Sequence, residues 1–355
     1  MTADSSSGVL KHLRHWVGSG EVTTAFGLVA RGPSVLWQGG ISVRDPQPQA
    51  STLFDLASLT KPHVATLALL LDQRGVLDLA EPLGSVWPDC DSRMARITLE
   101  ELLRHRSRLQ AWHPFYKTCR SPRDVEAKLL SGELLGGRLG VYCDLGYILW
   151  GLAAETRLQA SLGEIFEMHL ARPMSLARIR SGPVARGDVA PCECGNAKEV
   201  ELAQAMGLEI EPRSGPRRGR VQDGNAGFLG SLGGHAGLFG CATDLLRFAN
   251  HWLTTLAGGD SLLRRKGATA ALAAVGGRRL GWTARLIRGS AGRSLSPSSF
   301  GHDGFTGTSL WIDPETEAVM ILLAHRRSPF SNLNVSRRRF HRLAADLIAH
   351  SSAGA

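Results

Sequence analysis

Phe54-Asp55-Leu56-Ala57-Ser58-Leu59-Thr60-Lys61-Pro62 is the stretch on which the reading of this chain turns. Ser58 and Lys61 are three residues apart, a spacing that puts both side chains on one face of a helix and within reach of each other. A serine hydroxyl is a poor nucleophile at neutral pH unless a neighbouring base takes its proton, and a partly buried lysine with a lowered pKa is such a base. Val64, Leu67, Ala68 and Leu71 follow at helical spacing and the pattern stops near Gly75, so a helix starts close to Ser58. Phe54 to Ala57 reads as strand or turn, and Pro62 suits a helix only in its first turn, where the missing N–H costs nothing. Ser58 is therefore expected at a helix N-terminus, with its backbone N–H free to face a developing oxyanion. One local conflict remains, because Lys61 precedes a proline and such residues avoid helical angles.

Working outward, Val9, Leu10, Leu13, Trp16 and Val17 predict an opening amphipathic helix ended by Gly18-Ser19-Gly20. Val22 to Ala30 and Val35 to Val43, separated by Arg31-Gly32-Pro33, read as a hairpin. From about 76 to 220 the signals are helical pieces, notably Leu99 to Leu103, Gly146 to Leu158 and Ser161 to Leu170. Glu211 to Arg220 is rich in Pro, Gly and Arg and reads as a mobile surface loop. After a helix at Thr243 to Leu256 come strand-like runs at Leu280 to Leu286, Gly304 to Ile312 and Ala318 to Ala324, then a final helix. Strands at both ends with helices between them predict an α/β (α+β) fold. One antiparallel sheet would be assembled from N- and C-terminal segments and flanked by helices. The expected division is residues 1–75 with 221–355 around the sheet, 76–220 as a mainly helical insertion, and the active site between them.

With 355 residues, 43% of them apolar, the chain can bury a sizeable core. Its net charge of +9 raises an anionic partner, but the arginines concentrate in a Gly/Pro-interrupted loop (Arg213, Arg217, Arg218, Arg220) and in Arg337, Arg338, Arg339 and Arg342. Phe340, Leu343 and Leu347 fall at helical spacing, so the second group is expected on the solvated side of an amphipathic helix, and no nucleic-acid partner is expected. The first residues carry no secretory pattern and no run is long enough to span a membrane, so a cytoplasmic protein with no membrane partner is expected. Six scattered cysteines then read as free thiols, and Cys192-Glu193-Cys194 lacks the second ligand pair of a zinc site. No metal or cofactor is expected. The run Gly230 to Gly237 lacks a Walker lysine and reads as a tight turn near the pocket.

Several stretches together are similar to the class C β-lactamases and their relatives among esterases, D-aminopeptidases, amide hydrolases and penicillin-binding proteins. Asp55 to Pro62 resembles the first motif of that family, and Gly75-Val76-Leu77-Asp78-Leu79 with Pro82 the turn after its helix. Ile97 to His105 matches a further segment, with Arg108 where a glycine is usual. Tyr142-Cys143-Asp144-Leu145-Gly146-Tyr147 resembles the second motif in its Tyr-x-Asp variant. Gly234-His235-Ala236-Gly237-Leu238-Phe239 with Asp244-Leu245 resembles a later stretch, and Gly301-His302-Asp303-Gly304 the third motif in its His-x-Gly form. By this resemblance Ser58 is the nucleophile, Lys61 its activating base and Tyr142 the group that passes a proton to the leaving group. Asp144 would hold Lys61, the backbone N–H groups of Ser58 and Phe305 would form the oxyanion hole, and His302, Asp303 and Gly304 would support the site or touch substrate. The residues alone leave other readings open: Tyr142 and Tyr147 as ordinary buried aromatics, Asp144 as a helix cap, His302 as a satisfied polar residue.

Asp303 stands where β-lactam-hydrolysing relatives carry a threonine or serine that helps bind a carboxylate, and an ionised aspartate would repel that group. The resemblance implies a hydrolase of small-molecule esters, amides or peptides, and Asp303 predicts that neutral or cationic esters or amides are preferred while β-lactams and peptides ending in D-Ala are poor substrates. Alternatives are an acyltransferase with the same acyl-enzyme and a non-catalytic ligand-binding or sensor module of the same fold. The oligomeric state is not indicated.

Overall fold

The computed structural model describes residues 3–44, 46–192, 194–213, 215–230 and 232–352; Glu193 of the Cys-x-Cys pair and Ser231 of the glycine-rich run lie outside them. Helix Ala3–Gly18 leads into a hairpin of β1 (Val22–Arg31) and β2 (Ser34–Ser42). Strands β3 (Phe54–Asp55), β4 (Arg180–Ser181) and β5 (Leu238–Gly240) are short. Strands β6 (Thr283–Ala284), β7 (Phe300–Asp303), β8 (Ser309–Asp313) and β9 (Ala318–Arg326) come near the C-terminus. Among the described residues six strands form an antiparallel sheet in the order β2-β1-β9-β8-β7-β6, and three form a small sheet in the order β3-β5-β4. The large sheet thus joins the first and last strands of the chain, as the strand distribution predicts.

Its central strands are apolar on both faces because both faces are covered. Met320, Leu322 and Ala324 of β9, with Ala25 and Val29 of β1, pack among Leu13, Trp16, Phe340 and Leu347 of the first and last helices. The alternate residues Val319, Ile321 and Leu323, with Phe26 and Leu28, face Val64, Leu67, Leu245 and Phe248 on the opposite side. That second core continues without a break into Leu102, Leu103, Leu145 and Leu149 of the middle segment, which roots the helices of residues 99–158 beside the sheet. No helix of the described residues is long and apolar enough to cross a membrane.

Three expectations change. Of Leu280 to Leu286 only Thr283 and Ala284 pair, and pairing of the next run begins at Ser309, because Gly304 to Gly307 form a turn closed by Gly307 N–H on the Gly304 carbonyl at 3.1 Å. Within Glu211 to Arg220, of which Ser214 lies outside the described residues, Arg217 is anchored: it exchanges both backbone hydrogen bonds with Cys192, at 2.9 and 2.7 Å, and its Nη1 donates to Val221 O. In helix Asn334–Ser352, Arg339 and Arg342 face solvent but Arg337 does not. Its side chain is buried, and Nη2 donates to the carbonyls of Gly304 and Thr308, both at 2.9 Å. Helical spacing marks an apolar stripe, but it does not show that a cation on that side meets the open carbonyls of a turn.

Candidate active site

Ser58 lies on the short 3-10 turn Ala57–Leu59, which runs straight into helix Thr60–Gln73 with Pro62 in its first turn. Ala57 has φ +46°, left-handed for a residue with a Cβ, a conformation that costs about 1 kcal/mol or more unless its surroundings impose it. They do. The Asp55 carboxylate accepts from the N–H groups of Ala57 (2.9 Å) and Gln222 (2.6 Å), while Thr306 Oγ1 donates to Asp55 O and Thr308 Oγ1 to Leu56 O. Burial pushes Asp55 up to about 6, and the two amide donors pull the other way. Where the serine turn meets the turn after β7 the residue is Gly304, since a Cβ there would collide with the Thr308 hydroxyl and the Leu56 carbonyl.

Lys61 is fully buried and its Nζ lies 3.1 Å from Ser58 Oγ, 3.0 Å from the His235 carbonyl and 2.7 Å from Asp144 Oδ1. Asp144 is the first residue of helix Asp144–Leu158. The Tyr142 ring, just before that helix, is 4.7 Å from the same Nζ. Burial works against the ammonium, but the charge of Asp144, aided by Tyr142, outweighs it and raises Lys61. The expected lowering of the lysine pKa is therefore corrected: the resting site holds an ammonium. Burial likewise raises the Tyr142 phenol, while Lys61 and hydrogen bonds to Lys61 and Ser58 oppose that rise. Tyr147, in contrast, is buried with its hydroxyl spent on Leu103 O at 2.9 Å.

Two imidazoles flank the phenol. His302, on β7, has its ring 5.9 Å from that of Tyr142, and His105 lies 4.7 Å away. Burial, then the Lys61 charge, lowers His302 to about 4 and His105 to about 3, so both are neutral; His105 Nδ1 accepts the Cys143 N–H at 3.0 Å. Behind Lys61 is a second ion pair. His235 Nε2 is 2.9 Å from Asp223 Oδ1, and Asp223, which also caps helix Gly224–Phe228, is held down to about 2: its burial is outweighed by His235. His235 is raised, because Asp223 outweighs its burial.

Ser58, Tyr142, Asp144, Asp223, His235, His302, Asp303, Gly304 and Phe305 line one cavity of about 430 Å³, with Arg326 and Arg337 in its wall. The Phe305 N–H makes no backbone hydrogen bond among the described residues. Asp303 Oδ2 is 3.8 Å from Arg337 Nη1, so this aspartate is not the lone charge that the sequence suggested. Of the residues singled out in the sequence for this site, Ser58, Tyr142, Asp144, His302, Asp303, Gly304 and Phe305 line this cavity, and Lys61 lies beneath it against Ser58 and Asp144. The sequence reading missed Asp55, His105, Asp223, His235, Arg326 and Arg337 as parts of the site. His235 carried a signal, a lone histidine within a glycine-rich turn, whereas nothing local marks Asp223 as its partner 12 residues away or the Gly304 and Thr308 carbonyls as those of Arg337. No group of three or more His, Cys, Asp or Glu side chains among the described residues is placed to hold a metal ion.

Fold and site together define the class of β-lactamase/transpeptidase-fold serine hydrolases. A sequence profile of the Beta-lactamase family matches residues 11–344, and the chain belongs to that family. It is 28% identical over 347 residues to an N-acetylmuramyl-L-alanine amidase of Bacillus subtilis (strain 168), covering 86% of this chain and 76% of that protein. Among solved structures, a β-lactamase from Sulfitobacter sp. EE-36 superposes with a TM-score of 0.75 at 18% identity, over 99% of both chains. EstCE1, a hydrolase with promiscuous acyltransferase activity, superposes with a TM-score of 0.69 at 17% identity, over 97% of this chain and 98% of its own.

Proposed function

We propose that the chain cleaves a carboxylic ester or amide through an acyl-enzyme on Ser58. The observation that carries this reading is the contact of Lys61 Nζ with Ser58 Oγ and Asp144, under the Tyr142 ring and open to a cavity. In the form of the Lys61–Tyr142 pair that has given up one proton, Ser58 Oγ attacks the carbonyl carbon, its proton passes to the pair, and the pair returns it to the leaving oxygen or nitrogen as that bond breaks. Water then attacks the acyl carbon, the same pair takes its proton and passes it to Ser58 Oγ as the bond from Oγ to the acyl carbon breaks, and the acid is released. The pair is the unit of proton transfer, because each member's affinity depends on the other's charge. The N–H groups of Ser58 and Phe305 hold the oxyanion, Asp144 fixes Lys61, and neutral His302 orients the phenol. No cofactor enters these steps.

Asp303 presents a carboxylate where a hydroxyl would assist a β-lactam, so simple esters and amides are favoured over β-lactams. The amidase name of the Bacillus subtilis relative supports an amide among the substrates. Four buried unpaired thiols, Cys143, Cys192, Cys194 and Cys241, support a reducing, cytoplasmic setting. A fluorophosphonate probe tests the central step: mass spectrometry should find one adduct, on Ser58, absent from Ser58→Ala, and a wild-type chain that never forms it would leave the binding-module reading standing. The likeness to EstCE1 favours acyl transfer as a second outcome of the same intermediate. Ester or amide products formed on adding an alcohol or amine acceptor would reveal it.

A further inference from the structure

The arginine-rich segment that the catalytic site leaves unused borders a second cavity, of about 460 Å³, whose wall shares only Asp223 with the first. Arg213, Arg217 and Arg220 all face it. Two of them converge on one atom: Arg213 Nη2 and Arg217 Nη1 donate to the same Gln222 carbonyl, at 2.8 and 3.4 Å. Guanidinium groups that share an oxygen repel each other, and both side chains are half-buried, which weakens the screening of that repulsion by water. Burial, and then the charge of Arg213, accordingly lowers Arg217.

The nearby carboxylates leave this charge unanswered. Asp223, the one acid in the described wall, is held by His235. Glu199 lies 3.9 Å from Arg213 Nη2, but its oxygens already accept the Tyr116 hydroxyl at 2.8 Å and the Gly224 N–H at 2.9 Å. No carboxylate among the described residues is within ion-pair distance of Arg217 or Arg220, and Arg213 Nε is buried without a partner. Phe228, Val221, Pro183 and the Tyr116 ring supply an apolar remainder to the wall. A group with two negative charges and several acceptor oxygens suits three converging guanidinium forks, and a phosphate is such a group.

We infer that this second cavity is a binding site for a phosphate ester, with the phosphate held by Arg213, Arg217 and Arg220 and an apolar or aromatic body lying against Phe228 and Val221. The site is separate from Ser58 and does not depend on the acyl-enzyme reading.

The test is calorimetric titration of the full chain with phenyl phosphate at about pH 8, where the ester is doubly charged. Binding should be saturable with a Kd of about 1 mM or tighter, and about 10-fold tighter than that of inorganic phosphate, the share contributed by the apolar wall. Arg220→Gln removes an exposed guanidinium whose side chain makes no hydrogen bond among the described residues, so the melting profile should hold while affinity falls about 10-fold. Arg220→Lys should recover part of that loss, and Arg326→Gln, in the catalytic cavity, should leave affinity unchanged. A wild-type chain with no saturable binding overturns the inference before any variant is made, and equal affinity for inorganic phosphate overturns it by removing the apolar body. Undiminished affinity in Arg220→Gln overturns it too, and a loss confined to Arg326→Gln would place the ester in the catalytic cavity instead.

Discussion

Two buried ion pairs stand behind Ser58, and they touch: Lys61, held by Asp144, donates to the carbonyl of His235, held by Asp223. Burial opposes the cation in both, and a carboxylate restores it in both. They differ in where the proton is lost. Lysine begins from 10.5 and is raised, so the Lys61 side titrates in the alkaline range, together with a phenol that burial has also raised. Histidine begins from 6.5 and is raised, so the His235 pair loses its charge much closer to neutrality. The same construction therefore yields a proton-transfer group in one place and a pH-sensitive prop in the other. His235 spends Nδ1 on Gly233 O and Nε2 on Asp223, leaving its main-chain carbonyl as the atom that serves Lys61.

The comparison can be broken at four points. Ser58→Ala removes what both pairs serve: turnover of a 4-nitrophenyl ester should fall by roughly 1000-fold or more. Its unfolding free energy should keep the pH dependence of the wild type, and a changed profile would mean that the hydroxyl props the pairs. Arg337→Met leaves the Gly304 and Thr308 carbonyls without their buried donor and Asp303 without its cation, which should cost about 2–4 kcal/mol in denaturant unfolding. A loss under about 1 kcal/mol would show that the turn after β7 stands without it. Asp144→Asn withdraws the charge that raises both Lys61 and Tyr142, so the rising limb of kcat/KM set by that pair should move to lower pH. A limb that stays in place would assign the proton elsewhere.

Asp223→Asn should have the smallest effect and the clearest sign. Because the folded pKa of His235 is raised, its contribution to stability is complete below the unfolded value of 6.5 and disappears as pH rises through the folded value. Asp223, held at about 2 against an ordinary 3.8, contributes above 3.8 and loses that contribution as pH falls toward 2. Melting temperatures of the wild type should therefore decline on the alkaline side of 6.5, and the variant should show a flatter curve there. An identical decline in both would mean that another group titrates.

What the sequence by itself determined is local or periodic. A spacing of three places Ser58 against Lys61 whatever surrounds them, Pro62 positions the helix start, and the unbroken apolar run of β9 announces a strand covered on both faces. Tertiary structure alone decided the charges. Lys61 reads as a candidate neutral base until Asp144 is found 2.7 Å away, and Arg337 reads as solvated until the Gly304 and Thr308 carbonyls are found beneath it. His235 stands out only as a histidine in a glycine-rich turn, and Asp223 not at all, until the fold closes them into a pair. The reason is that a pKa or an ion pair depends on burial and on distances between segments far apart in the chain, and neither quantity is encoded in any short window of residues.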